Sequence, residues 1–140
     1  MDRGTGGRRG IEPRKFYNGL TGKFSAWARQ QFELREVQGD GATLYDHLRS
    51  HAAQTGEFHE LLQPINECDG LKHVYEHYFP DINRRRQQVD GGPQRVTYQE
   101  ILAWCKLRRV TLSDLELDAL NAIEPIYIEF SNKALAARKE

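Results

Sequence analysis

The sequence predicts an all-α fold: about five to six short helices in a small bundle, a C-terminal helical hairpin and no significant sheet. Three observations carry this expectation. Two helix starts are written as capping boxes, Thr97-x-x-Glu100 and Ser113-x-x-Glu116. In each, the hydroxyl can accept from the N3 amide while the glutamate turns back to the amide of the cap. Apolar residues recur at i, i+3 and i+4 through most of the chain, the rhythm of a buried helix face. Period-two runs of β-branched residues bracketed by turn pairs, the mark of strands, are missing.

The elements follow in order. Residues 1–15 begin MDRGTGGRRGIE, too rich in glycine and arginine to bury a core, and read as a disordered arm. Residues 16–82 read as an N-terminal helical part. Its first helix spans Thr21–Val37, with Phe24, Trp27, Ala28, Gln31, Phe32 and Leu34 on one face and mixed charge on the other; Gly39-Asp40-Gly41 stops it. A second helix spans Thr43–Gln54, with Leu44, Tyr45, Leu48 and Ala52 inward and Gly56 as its breaker. A short third helix, Glu57–Leu62, ends near Pro64. A fourth runs from Asn66 to Phe79, capped by Asp69, facing inward through Leu71, Val74, Tyr75 and Tyr78, and ended by Pro80. Residues 83–95, polar, basic and glycine-terminated, read as a linker or mobile loop. Residues 96–140 form the hairpin with a frayed tail. Its first helix carries Ile101, Leu102, Trp104 and Cys105. Its second carries Leu115, Ala119, Ile123, Ile126, Tyr127 and Phe130. The short connector through Arg108-Arg109-Val110-Thr111 favours antiparallel arms. Pro125 falls inside the second helix, where a kink or break near Glu124 is expected.

Composition narrows the function. A chain of 140 residues is one domain's worth. Lys+Arg and Asp+Glu are 20 each, so no global field draws it to nucleic acid or an anionic membrane. No apolar run approaches the roughly 20 residues of a membrane helix, and no secretory h-region is visible at the start. Cys68 and Cys105 lie far apart without a CxxC partner. Two reduced thiols in a reducing compartment is the simplest reading, with one disulfide as the other possibility.

Catalytic motifs are few. His73-Val74-Tyr75-Glu76-His77 matches H-x-x-E-H, in which two histidines on one helical face can share Zn²⁺ beside a glutamate base. A catalytic zinc also needs a third protein ligand, and no motif singles one out. The bland alternative sets both histidines at the polar edge of a helix. His47 and His51 form a second i, i+4 pair without a matched ligand. A nucleophile elbow, a Walker loop and a dinucleotide fingerprint are all absent. The expectation is a protein that is not an enzyme and has no cofactor. Arg84-Arg85-Arg86 and Lys106, Arg108 and Arg109 are basic clusters. Asp114, Glu116 and Asp118 at the start of the last helix would repel phosphates, which counts against a helix-turn-helix.

The hairpin also carries a resemblance. The pattern T-x-x-E-I-x-A-W-x-x-L, a short basic turn, L-x-x-x-E-x-x-A-L-x-x-I and an aromatic runs from Thr97 to Tyr127. It is similar to the C-terminal part of small tail assembly chaperones of long-tailed bacteriophages, over about a quarter of the chain. Relatives often place an aspartate and an aromatic after the final apolar pair, where this chain has Glu124 and Pro125. The resemblance implies a small helical, non-enzymatic protein of the host cell cytoplasm. It would coat hydrophobic helices of the tape-measure protein, keep them soluble during tail assembly, and self-associate along its client. Groove binding of an amphipathic helix is the implied chemistry. The candidate partner-binding residues are then Phe24, Trp27, Phe32, Ile101, Trp104, Tyr127 and Phe130, since interface hot spots favour large rings. The alternatives are a structural tail or head–tail connector component and a small helical DNA-binding regulator.

Overall fold

A computed structural model describes residues 13–64 and 68–138 of the chain, with side chains from residue 19 onward. Most of the expected glycine- and arginine-rich arm and Asn66, the expected start of the fourth helix, lie outside the described residues. The described residues form five α-helices: α1 Pro13–Leu34, α2 Leu44–Thr55, α3 Phe79–Asn83, α4 Tyr98–Arg108 and α5 Asp114–Arg138. A two-residue hairpin pairs β1, Gln88–Val89, antiparallel with β2, Gly92–Pro93, through Gln88 opposite Pro93 and Val89 opposite Gly92. The fold is all-α with that one minute sheet.

Helix α1 starts at Pro13 instead of Thr21. Proline suits a first helical position, and Gly19 and Gly22 each cost the helix only about 1 kcal/mol. The helix ends at Leu34, before the expected Val37, because the chain folds back on itself. The Gln38 amide donates to the Ala42 carbonyl at 2.7 Å, Val37 bridges Thr43, and Gly41 supplies the left-handed residue at φ 89°. Thr43 caps α2 in a box with Asp46, and Gly56 closes it at φ 77°. Ala52 is buried as expected. Tyr45, expected inward, is 40% exposed, lying under Arg49, which donates to its hydroxyl at 2.9 Å.

The expected third helix is only a 3₁₀ turn, Glu60–Leu62. It is held by buried Gln30, whose amide donates to the Leu61 and Gln63 carbonyls at 2.7 and 2.8 Å. The next segment departs further from expectation. Asp69 does not cap a helix; it opens a 3₁₀ turn and pairs with Lys72 at 2.8 Å. Val74–Tyr78 then winds as a π-helix that runs into α3 through Pro80. Pro80 does not end the helix, because the Phe79 amide already reaches back to Val74. That wider register absorbs the amide Pro80 lacks.

Helix α5 runs as one element through Pro125, so of the kink or break expected near Glu124 the break does not occur. The proline is exposed while Ile123, Glu124 and Ile126 around it are buried, so packing on both sides holds the helix together. Among the described residues, Phe24 from α1, Ile123 from α5, and Val74 and Cys68 from the middle segment are the largest fully buried side chains. Arg29 forks onto Glu129 at 2.8 and 3.0 Å, and Lys133 reaches Glu36 at 2.9 Å, so α5 lies along α1. Cys68 and Cys105 are not joined in a disulfide, and burial raises the pKa of both thiols.

Candidate functional site

The site is built on the segment between α3 and α4, and on one buried ion pair within it. Glu124 sits in the apolar face of α5, beside Ile123 and Tyr127. Arg86 meets it from the other side, with both charged groups almost entirely out of water. The guanidinium forks onto the carboxylate at 2.8 and 2.5 Å. It also donates to Asn83 Oδ1 at 2.6 Å and the Gln94 carbonyl at 2.9 Å, and lies 4.4 Å from the Tyr127 ring centroid. Glu124 accepts the Val96 amide at 2.9 Å as well. One arginine and one glutamate thus fasten both ends of the 83–96 segment to α5, and so fix where α4 begins. Sequence reading missed this pair by placing Arg86 in a basic cluster. The available signal was a glutamate at position 124, inside an apolar helical stripe.

From that anchor α4 projects as a ridge. Thr97 and Glu100 form the predicted capping box, with bonds of 3.1 and 2.8 Å. Only Ile101 is buried along the helix; Tyr98 is 64%, Leu102 57% and Leu107 84% exposed. On one side lies a groove of about 610 Å³, lined by Ile82, Val96, Ala103, Trp104, Leu107 and Arg108 among others. Asp81 is at its edge, accepting from Trp104 Nε1 at 2.8 Å and from Arg108 at 2.7 and 3.1 Å. Those hydrogen bonds, from Trp104 first and then Arg108, hold the Asp81 carboxyl below its usual range.

On the other side a second groove, of about 750 Å³, opens between α4 and the start of α5. Ile101, Leu102, Cys105, Leu112 and Leu117 line it, with Tyr98 at one end, where Asn121 donates to the tyrosine hydroxyl at 2.9 Å. Lys106 and Arg109 are the charged residues of its lining. Arg109, at φ 57°, occupies the left-handed C-cap of α4, a position that ordinarily favours glycine. The hairpin therefore does not close on itself: α5 packs on α1, and an apolar cleft separates it from α4.

The predicted partner-binding residues divide between core and groove. Phe24, Trp27 and Ile101 are 0%, 8% and 6% exposed. Phe32, Tyr127 and Phe130 are half-buried and meet one another, with Phe32 at 5.8 Å from Phe130 and 6.3 Å from Tyr127. Trp104 and Ile101 line the two grooves. Tyr98, Leu102 and Leu107, absent from the predicted set, are the exposed apolar residues around them. Their signal was an α4 sequence with apolar residues on every side, which no single buried face can absorb.

Of the H-x-x-E-H histidines, His73 serves another contact and His77 is exposed. His73 Nε2 lies 2.6 Å from Glu116 Oε2, joining the π-helix to the capping box that opens α5. Glu116 also accepts the Ser113 amide at 2.9 Å while its own amide donates to the Ser113 hydroxyl at 3.1 Å. Among the described residues no group of three His, Cys, Asp or Glu could hold a metal ion. The basic clusters are also partly engaged, since Arg86 is buried and Arg108 is bound to Asp81. No helix of the described residues is long and apolar enough to cross a membrane.

A family model described as phage tail assembly chaperone matches residues 52–129, more than half of the chain and the whole of α3, α4 and the grooves. No curated protein and no solved structure matches the chain.

Proposed function

The chain belongs to the phage tail assembly chaperone family, and from that premise we propose that it shields apolar helices of the tape-measure protein on the α4 ridge. It works without catalysis or a cofactor, in the host cytoplasm, before the tail tube forms. One observation carries this reading: within the matched segment, α4 exposes Tyr98 and Leu102 in one apolar groove and Leu107 in another. Apolar side chains left exposed in grooves mark a surface for a partner. An amphipathic client helix laid in one groove would bury Tyr98 and Leu102 against Ile101, and one laid in the other would bury Leu107 against Trp104. Phe24, Trp27, Phe32, Tyr127 and Phe130 act from beneath, fixing α1 and α5 as the rigid base. Copies side by side on a long client would raise one another's apparent affinity through effective concentration.

The test is co-expression with an apolar helical fragment of the tape-measure protein. The wild-type chain keeps the fragment soluble, and the Leu102→Asp/Leu107→Asp variant lets it precipitate. Because both positions are exposed, the variant's own stability changes by only about 0.5 kcal/mol per site. A variant that protects the fragment as well as wild type contradicts the reading.

A further inference from the structure

The cleft between α4 and α5 says more about the occupant than its apolarity does. Its lining carries two charges, Lys106 and Arg109, both positive, and no carboxylate. Among the described residues neither side chain makes an ion pair or hydrogen bond, whereas neighbouring Arg108 is bound to Asp81. Cations suit the C-terminal end of a helix, but Arg109 is there in a left-handed conformation that glycine would adopt without strain. Local backbone strain of this kind is a pointer to function.

We infer that this cleft takes an amphipathic helix whose apolar stripe is flanked by carboxylates, which Lys106 and Arg109 pair at the rim while Leu102, Leu112 and Leu117 take the stripe. The inference rests on the client-binding reading above and names the chemistry of the client. The 11 residues of α4 give a wall of about 16 Å, room for about three turns of a partner helix. Rim charges of this kind set partner choice more than total affinity.

Two synthetic helical peptides with the same leucine stripe, one flanked by glutamates and one by lysines, test this by fluorescence anisotropy. Wild type is expected to bind the glutamate peptide about five- to tenfold tighter at low salt, as two exposed ion pairs allow, with the preference shrinking as salt rises. The Lys106→Glu/Arg109→Glu variant, unchanged by circular dichroism, is expected to reverse the preference. Equal binding of both peptides, or no reversal, overturns the inference. So does a dimer of the chain, seen by sedimentation, that the charge reversal dissolves, since the occupant would then be a second copy. If neither peptide binds, the inference fails. Parallel co-expression then separates the two readings: a tape-measure fragment kept soluble leaves the chaperone reading standing, and a precipitated one removes that as well.

Discussion

At the scale of residues, Arg86 and Glu124 matter most. A charge out of water is tolerable only when paired and hydrogen-bonded on most sides. Here the guanidinium has Asn83, the Gln94 carbonyl and Glu124, and the carboxylate has Arg86 and the Val96 amide. Removing one partner strands the other, so Arg86→Met should cost about 3–5 kcal/mol in urea unfolding. Adding Glu124→Leu to that variant should recover part of the loss but not all, because the Val96 amide would remain without an acceptor. A single variant within about 0.5 kcal/mol of wild type would show the pair to be incidental. Both predicted capping boxes form, while the equally local Thr43–Asp46 box was not picked out and Asp69 does not cap a helix. The ion pair was not legible in the sequence, because its partners are 38 positions apart and only the folded chain makes them neighbours.

At the scale of elements, the contact of His73 with Glu116 ties the π-helix to the start of α5. Burial alone would raise the pKa of Glu116, but the Ser113 amide, His73 and the Ser113 hydroxyl together outweigh it, leaving the carboxyl below its ordinary value. A carboxyl with a depressed pKa in the folded state adds stability that is complete above its unfolded range and lost as pH falls through the folded value. Unfolding measured across a series of acid pH values should therefore show wild type losing more stability than Glu116→Gln below the ordinary carboxylate range. Parallel curves would contradict that role. Helix existence was legible from apolar rhythm, and α4 and α5 start where their predicted caps place them. Where elements differ from expectation, tertiary packing overrides the local signal. Gln30 turns the third helix into a short turn, and the π-register carries α3 through Pro80. Buried neighbours likewise carry α5 through Pro125.

At the scale of the whole molecule, the packed base and the exposed α4 surface separate. Helices α1 and α5 and the 68–83 segment form the core. The buried ion pair anchors the start of α4, which stands out from that core with apolar residues on several sides and a groove along each flank. The predicted aromatic residues supplied the base more than the surface, because a sequence shows which residues are apolar but not which are left over once the core is filled. Leu102 and Leu107 look like any other helix leucines until α5 is seen to choose α1 as its neighbour. Hydrogen–deuterium exchange of the chain with and without an apolar tape-measure fragment tests this division most directly. Client binding on α4 predicts slowed exchange over residues 98–117, with α1 unchanged. Protection confined to α1, or none anywhere while the fragment stays in solution, would contradict it.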